Sequence, residues 1–534
     1  MNGPRNLVLA VMLVILASGF SAAATAPNIY IAQNAGGGNT GADCADAYGV
    51  SWFNSSANWG SGAGQIGPGV TVHLCGTLNS AIAAHGSGSS NSPIVIAFDC
   101  PSNGQISMPA IPATGGLTIS GLSYITIDGQ SCGTIQSTNN GSPAGGYANR
   151  IGSQAIVATN SNNIEIKNLQ CINLYMHVAP EATPWGAPYP VCVNFTGSSS
   201  NITIDHNTFH DCAWCAWGQG SNISFHDNTI YNFDHGLGMG IQSDAPTVWG
   251  PVYFYNNSLS NATTWDTGVV GQYHHDGLHL WAYCSDGFSN CPGSYWQDAY
   301  VYNNHFYGNW GPINTTAMIF AEGSDIHNFW VFNNLADCTA NQCDDGIFSI
   351  QSTNNASIVN NTVVAGMATQ VTPNLILGGP GLTVQNNVIS TSNFLTEINA
   401  MDTSRGSSTT IAALSNNVYM AGGNNAFVWH GTFLSFSQFS AWQSDSGETK
   451  SVAASSSTLN LPAGTLQAGS PAIGVAANLY STCSGQPSPG LGALCSDASG
   501  NPRPATGAWD AGAFSFSSSA PGPNPPTGLA ASVQ

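Results

Sequence analysis

Short alternations of apolar and polar residues recur along the chain, and each runs into a polar pair that ends in Asn. They read ITIDHNTF (202–209), ISFHDNTI (223–230), VYFYNNSL (252–259), VYNNHF (301–306), VFNNLA (331–336), SIVNNTVV (357–364), LTVQNNVI (382–389) and ALSNNVY (413–419), with a shorter NIEIKNLQ (163–170) opening the series. The last Asn of each pair falls at 207, 228, 257, 304, 334, 361, 387 and 417, at intervals of 21, 29, 47, 30, 27, 26 and 30. Period-two alternation marks strands that bury one side, and strands this short must stack on equivalents elsewhere to do so. A repeat of roughly 20–50 residues with variable turns is the signature of a solenoid.

Between these phrases lies a second set of strand-like segments: PVCVNF (190–195), GMGIQS (238–243), DGLHLW (276–281), TAMIFA (316–321), DGIFSI (345–350) and PNLILG (373–378). Each coil therefore holds at least two strands, parallel and in register with the next coil. The Asn column is expected to line one corner, each Asn taking the left-handed turn conformation while its amide bonds to the neighbouring rung. The pattern predicts an all-β chain folded as a right-handed parallel β-helix, a solenoid. Hairpin turns of a sandwich do not produce this spacing.

With these coils, the YITIDGQ segment (124–130) and a closing run of AGSPAIG (468–474), NPRP (501–504) and WDAGAFSF (509–516), the chain resembles the pectate-lyase-like right-handed β-helix superfamily over roughly residues 28–516. That resemblance implies an extracellular protein of a superfamily that includes polysaccharide lyases, glycoside hydrolases, epimerases and surface proteins. It implies a fold more narrowly than a reaction, because one scaffold hosts many chemistries. The ending looks like the C-terminal cap of bacterial β-helix proteins.

Residues 1–24 read as a secretory signal peptide: Arg5, an apolar run from Leu7 to about Phe20, then Ser21-Ala22-Ala23-Ala24. No later segment approaches the ~20 apolar residues of a membrane span, so the mature chain is expected to be secreted or held at the cell surface. Residues 25–150 read as an N-terminal cap and entry coils, 151–430 as the central coils, 431–516 as C-terminal coils and cap, and 517–534 as a Ser/Pro-rich linker or tail. The 14 cysteines suit disulfides in an oxidising compartment, with Cys212/Cys215, Cys284/Cys291, Cys338/Cys343 and Cys483/Cys495 close enough in sequence to close local loops. Cys212-Ala213-Trp214-Cys215 also matches a redox or zinc half-site, but no second such pair accompanies it.

Charge narrows the partner. Six Lys and Arg against 26 Asp and Glu leave a formal charge of −20, which excludes a counterion-releasing grip on nucleic acid. With 42% hydrophobic residues the chain has enough apolar matter for a large core. Elimination on uronate polymers calls for cations, and beyond Arg5 the chain offers only Arg150, Lys167, Arg405, Lys450 and Arg503. A neutral or weakly charged extracellular polysaccharide, cleaved by hydrolysis, is therefore the expected substrate. A Ca²⁺-dependent lyase or epimerase, with Ca²⁺ held by acidic side chains and Lys167 or a His as base, is the alternative, and a non-catalytic surface or adhesive protein is the third.

Candidate chemistry concentrates in the longest interval, whose extra length suggests a loop on one coil and which contains YHHDGLHLWAY (273–283), turn residues leading into a strand that starts near Gly277. Leu278 and Leu280 should point inward and His279 outward. Stacking at about 4.8 Å should bring His275, Asp276 and His279 onto one wall with Asp234 and His235 from the coil before and Glu322 from the coil after. Imidazoles beside carboxylates suit proton transfer, and paired carboxylates suit glycosidic cleavage. Trp217, Trp249, Trp281, Tyr273 and Tyr283, with Lys167, are the candidates for binding sugar, since aromatic planes take the apolar faces of sugar rings. A metal held by the His/Asp cluster is a further option, with its identity open.

Overall fold

The computed structural model describes residues 27–138, 152–174, 190–241, 246–262, 275–282, 284, 291, 293–310, 316–338, 347–365, 375–391, 396–398 and 408–517. The signal-peptide reading, nearly all of the tail, and the residues Tyr273 and Tyr283 lie outside them.

Each central coil carries three strands, within the expectation of at least two. The first group forms one sheet of stacked parallel rungs, Asn162–Lys167, Ser200–Asp205, Ser221–His226, Val252–Tyr255, Tyr295–Tyr302, Ile326–Phe332, Ser357–Val359 and Leu382–Gln385 among them. The second and third groups share one continuous sheet, because Thr208–Gly218 and Thr229–Ile241 run unbroken round a corner and belong to both. Inward residues of all three groups, such as Ile204, Phe209, Leu237, Leu278 and Ile319, are fully enclosed. Every connection between neighbouring rungs is parallel here, and parallel crossovers take the right hand. The chain is a right-handed parallel β-helix.

The Asn column divides its work between two positions. The positive φ of 54–62° belongs to the residue before each column Asn, namely His206, Asp227, Asn256, Asn303, Asn333, Asn360, Asn386 and Asn416. This corrects the expectation that one Asn does both jobs. The second residue turns inward, as Asn304 illustrates: its Oδ1 accepts from Asn257 N–H and Asn257 Nδ2, both at 3.0 Å, while its Nδ2 donates to Phe254 O at 2.9 Å and Asn334 Oδ1 at 3.0 Å. The pattern runs unbroken from Asn207 to Asn417 and leaves each amide nearly inaccessible. Polar groups inside a tight bend are thereby satisfied.

At the end of this column sits Glu448, 3% exposed. Its carboxylate accepts from Asn417 Nδ2 (2.9 Å), Ser451 Oγ (2.6 Å), Tyr419 OH (3.0 Å) and the indole N–H of Trp442. Burial pushes its pKa above the ordinary value despite these donors. The unfolded chain therefore ionises Glu448 first as pH rises, so the stabilisation is complete below the ordinary value and is lost as pH climbs through the raised one. Urea unfolding at pH 4 and pH 7 should show Glu448→Gln gaining on the native chain at the higher pH, and a gap that does not change with pH would refute this.

The C-terminal segment lies along the flank of the coils. The helix Phe439–Ser446, with Trp442 stacked at 4.9 Å on Phe427, covers the last rungs instead. Residues 472–516 run back past four coils and take hydrogen bonds from the left-handed corner residues: Asn416 Nδ2 to Val475 O, Asn386 Nδ2 to Ala477 O, Asn360 Nδ2 to Gly512 O and Asn333 Nδ2 to Ser496 O. Arg503 is buried among Asn333 Oδ1 (2.9 Å), Gly512 O (3.1 Å) and the Trp509 ring, and burial lowers its pKa to about 10.

Five disulfides join described residues: Cys44–Cys75, Cys100–Cys132, Cys171–Cys192, Cys284–Cys291 and Cys483–Cys495. The last two match the expected local loops. Cys212 and Cys215 do not: they are thiols with their Sγ atoms 2.7 Å apart, fully buried in the core, and burial raises both pKa values. A buried thiol gives little thiolate, the form that reacts to make a disulfide. Cys343 lies outside the described residues.

Candidate functional site

The sequence His275–Ala282 is a rung of the third strand group, as expected for DGLHLW, and begins one residue earlier. It pairs with Thr229–Ile241 on one side and Thr316–Glu322 on the other, so the extra length of this coil falls before and after it. Leu278 and Leu280 enter the core, and His279 and Trp281 take the opposite side. Register then does the assembly: Trp214, His235, Asp276 and Ala317 stack in one row, while Trp217, Gly238, His279 and Phe320 stack in another.

Six expected residues meet. Asp276 Oδ2 lies 3.3 Å from His235 Nε2 and 3.5 Å from His279 Nδ1, and Asp276 Oδ1 accepts the Ala317 N–H at 3.2 Å. The other nitrogen of His279, Nε2, stands 3.1 Å from Glu322 Oε1. One step along the same corner, His275 Nδ1 lies 3.2 Å from Asp234 Oδ1. Burial of these residues ranges from 1% exposed for His275 and Asp276 to 6% for Asp234 and His235. A site this dry strengthens each electrostatic contact within it.

Aromatic side chains frame the cluster. Trp214 stacks on His235 at 3.8 Å and 9°, Phe320 stacks on His279 at 4.6 Å, and Trp281 leans on His279 at the same separation. Glycines make this approach feasible: a Cβ at Gly238 would strike the Trp214 ring, and one at Gly240 the Trp281 indole. Phe320 was not singled out as a site residue, although its register opposite His279 follows from counting along the rungs.

Other candidates fall elsewhere. Trp217 is half-buried in the His279 row, within the same wall. Trp281 is 8% exposed and packs as much as it presents a face. Trp249 pairs in register with Trp296 at the edge of the first sheet, because the chain has already turned the next corner by that point. Lys167 stands on the first sheet in the rung Asn162–Lys167, tied to Glu165 Oε2 at 2.9 Å, and so does not join the cluster. Tyr273 and Tyr283 lie outside the described residues.

No family model matches the chain, and no curated protein does. Among solved structures it is similar to a GH136 lacto-N-biosidase from Eubacterium ramulus, with 10% identity over 80% of this chain and 67% of that one and a TM-score of 0.43. It is also similar to the pectate lyase Pel9A, with 12% identity over 92% and 97% and a TM-score of 0.38. A third, XylC in complex with xylose, shows 9% identity over 80% and 86% and a TM-score of 0.41. The parallel β-helix is established by this chain's own strand register, independently of those likenesses.

Proposed function

We propose that the protein is a secreted enzyme that cleaves an extracellular polysaccharide by hydrolysis at the wall formed by His235, Asp276, His279 and Glu322. The observation that carries this reading is the convergence of three carboxylates and three imidazoles from three successive coils beside Trp214, Trp217 and Trp281. Carboxylates and imidazoles at these distances can hold and pass protons, and indole faces suit sugar rings. The Asp234–His275 pair supplies a second proton-holding unit beside the first. Elimination is disfavoured because Lys167 is occupied by Glu165 on another sheet, and the remaining described cations, Lys450 and Arg503, belong to the C-terminal part. Disulfides joining segments well apart in sequence, such as Cys44–Cys75 at a separation of 31, support export to an oxidising compartment.

A panel of neutral and acidic polysaccharides, each incubated with and without a chelator, tests the reading. New reducing ends without an ultraviolet-absorbing unsaturated sugar are the expected product. Appearance of the unsaturated sugar would replace hydrolysis by elimination. One observation favours a second reading: the cluster is at most 6% exposed, as a network that only rivets coils together would be. Binding of a glycan with no cleavage would establish that non-catalytic role.

A further inference from the structure

We propose that His235 Nε2, Asp276 Oδ2 and His279 Nδ1 form a binding site for a zinc-class divalent transition metal. This deepens the reading of the same wall as a reactive site and rests on it. The distances carry the argument first. An N–H···O hydrogen bond is expected at about 2.7–3.2 Å. The two imidazole nitrogens instead stand 3.3 and 3.5 Å from the same carboxylate oxygen. With metal–ligand bonds of about 2.0–2.1 Å, the edge of a coordination tetrahedron is about 3.3 Å, so this is the spacing of ligands around an ion. One ligating atom from each of the three residues lies within 4.8 Å of the other two.

The surroundings of the three ligands point the same way. Metal-bound imidazoles characteristically have their far nitrogen held by a carboxylate or carbonyl. Here Glu322 Oε1 stands 3.1 Å from His279 Nε2, the nitrogen away from Asp276. Asp276 is oriented in the same manner, since the Ala317 N–H holds Oδ1 and leaves Oδ2 turned to the two rings. Trp214, flat against His235, fixes that ring's plane.

Donor chemistry selects the metal. Two nitrogens and one oxygen suit Zn²⁺ and its neighbours, whereas Ca²⁺ takes six to eight oxygens. Three protein ligands leave a fourth tetrahedral position for water or a sugar hydroxyl, the arrangement of a catalytic rather than a structural zinc site. The Asp234–His275 pair then remains the proton-holding unit beside the ion. Glu322 is a positioning residue that acts through His279.

The test is calorimetric titration of the untagged, chelator-treated chain with Zn²⁺, Co²⁺ and Ca²⁺ separately, with no glycan present, together with the visible spectrum of the Co²⁺ form. One Zn²⁺ per chain is expected, with tetrahedral Co²⁺ bands and no Ca²⁺ binding at this site. His279→Ala should weaken Zn²⁺ binding at least about 100-fold, and Glu322→Gln by about 10-fold, the usual range for an outer partner. Circular dichroism and urea unfolding establish that the variants are folded; Glu322→Gln preserves shape should His279→Ala fail to fold. Absence of stoichiometric Zn²⁺ or Co²⁺ binding, Ca²⁺ binding lost in His279→Ala, or unchanged Zn²⁺ affinity in both variants would overturn the proposal. Because binding is read without substrate, Zn²⁺ uptake in a chain that cleaves no glycan refutes the enzymatic reading alone, and cleavage in a chain that binds no Zn²⁺ refutes the metal site alone.

Discussion

Asp276→Asn should slow glycan cleavage about 10³-fold, equivalent to about 4 kcal/mol of lost transition-state stabilisation, while leaving the fold intact. Asn occupies the same volume and still offers Oδ1 to the Ala317 N–H, which the native carboxylate accepts at 3.2 Å. What disappears is the negative charge between His235 and His279, the hub through which both imidazoles are aligned. Initial rates on whichever polysaccharide responds, with urea unfolding as the fold control, provide the measurement. Lys167→Ala should leave the same rate unchanged, because that side chain is paired with Glu165 on the first sheet. If Asp276→Asn retains full activity, the wall is not the site; if Lys167→Ala abolishes cleavage, the lysine-base alternative gains what the wall loses.

The largest loss of stability is expected at the centre of the Asn column. Asn304→Ala removes four hydrogen bonds and leaves the Phe254 carbonyl and the Asn257 donors short of partners in a site that is 1% exposed. Each unsatisfied buried group costs about 1–3 kcal/mol, so a total of about 3–5 kcal/mol is anticipated. Asn222→Gly is the matched comparison. Asn222 is exposed, makes one side-chain bond to Asn201 at 2.6 Å and has a φ of 55° that glycine adopts freely, so the change should stay within about 0.5 kcal/mol. Chemical denaturation of the two variants side by side measures the difference, and equal losses would mean that the inner column does not bear the coils.

The recurring Asn made the coil repeat visible because a repeated bend demands a repeated side chain. Its division of labour was not visible, since Asn tolerates both the left-handed backbone and the inward ladder. Only coordinates assign φ of 55° to Asn303 and the shared amide to Asn304. The third strand group was legible as the DGLHLW-type segments, whereas its continuity with the second group in Thr208–Gly218 and Thr229–Ile241 was not, because no turn residues separate the two there. The cluster itself was legible from the expected stacking: Asp234, His235, Asp276, His279 and Glu322 follow from superposing neighbouring coils. Trp249 stands apart from the cluster for the converse reason, since proximity in sequence to a central coil does not say which of its three faces a residue occupies. The path of residues 472–516 depends on docking against distant corners, which alternation along one strand cannot report.

That docking has a mechanical consequence. A solenoid held only rung to rung can peel from its open end one turn at a time. Here Asn333, Asn360, Asn386 and Asn416 are all fastened to a single returning segment, which crosses the turns like a batten across planks. Tension applied beyond residue 516 meets the fastening at Gly512 first and then those at Ser496, Ala477 and Val475, so the carboxyl-terminal half resists being unravelled from its own end until each has given way.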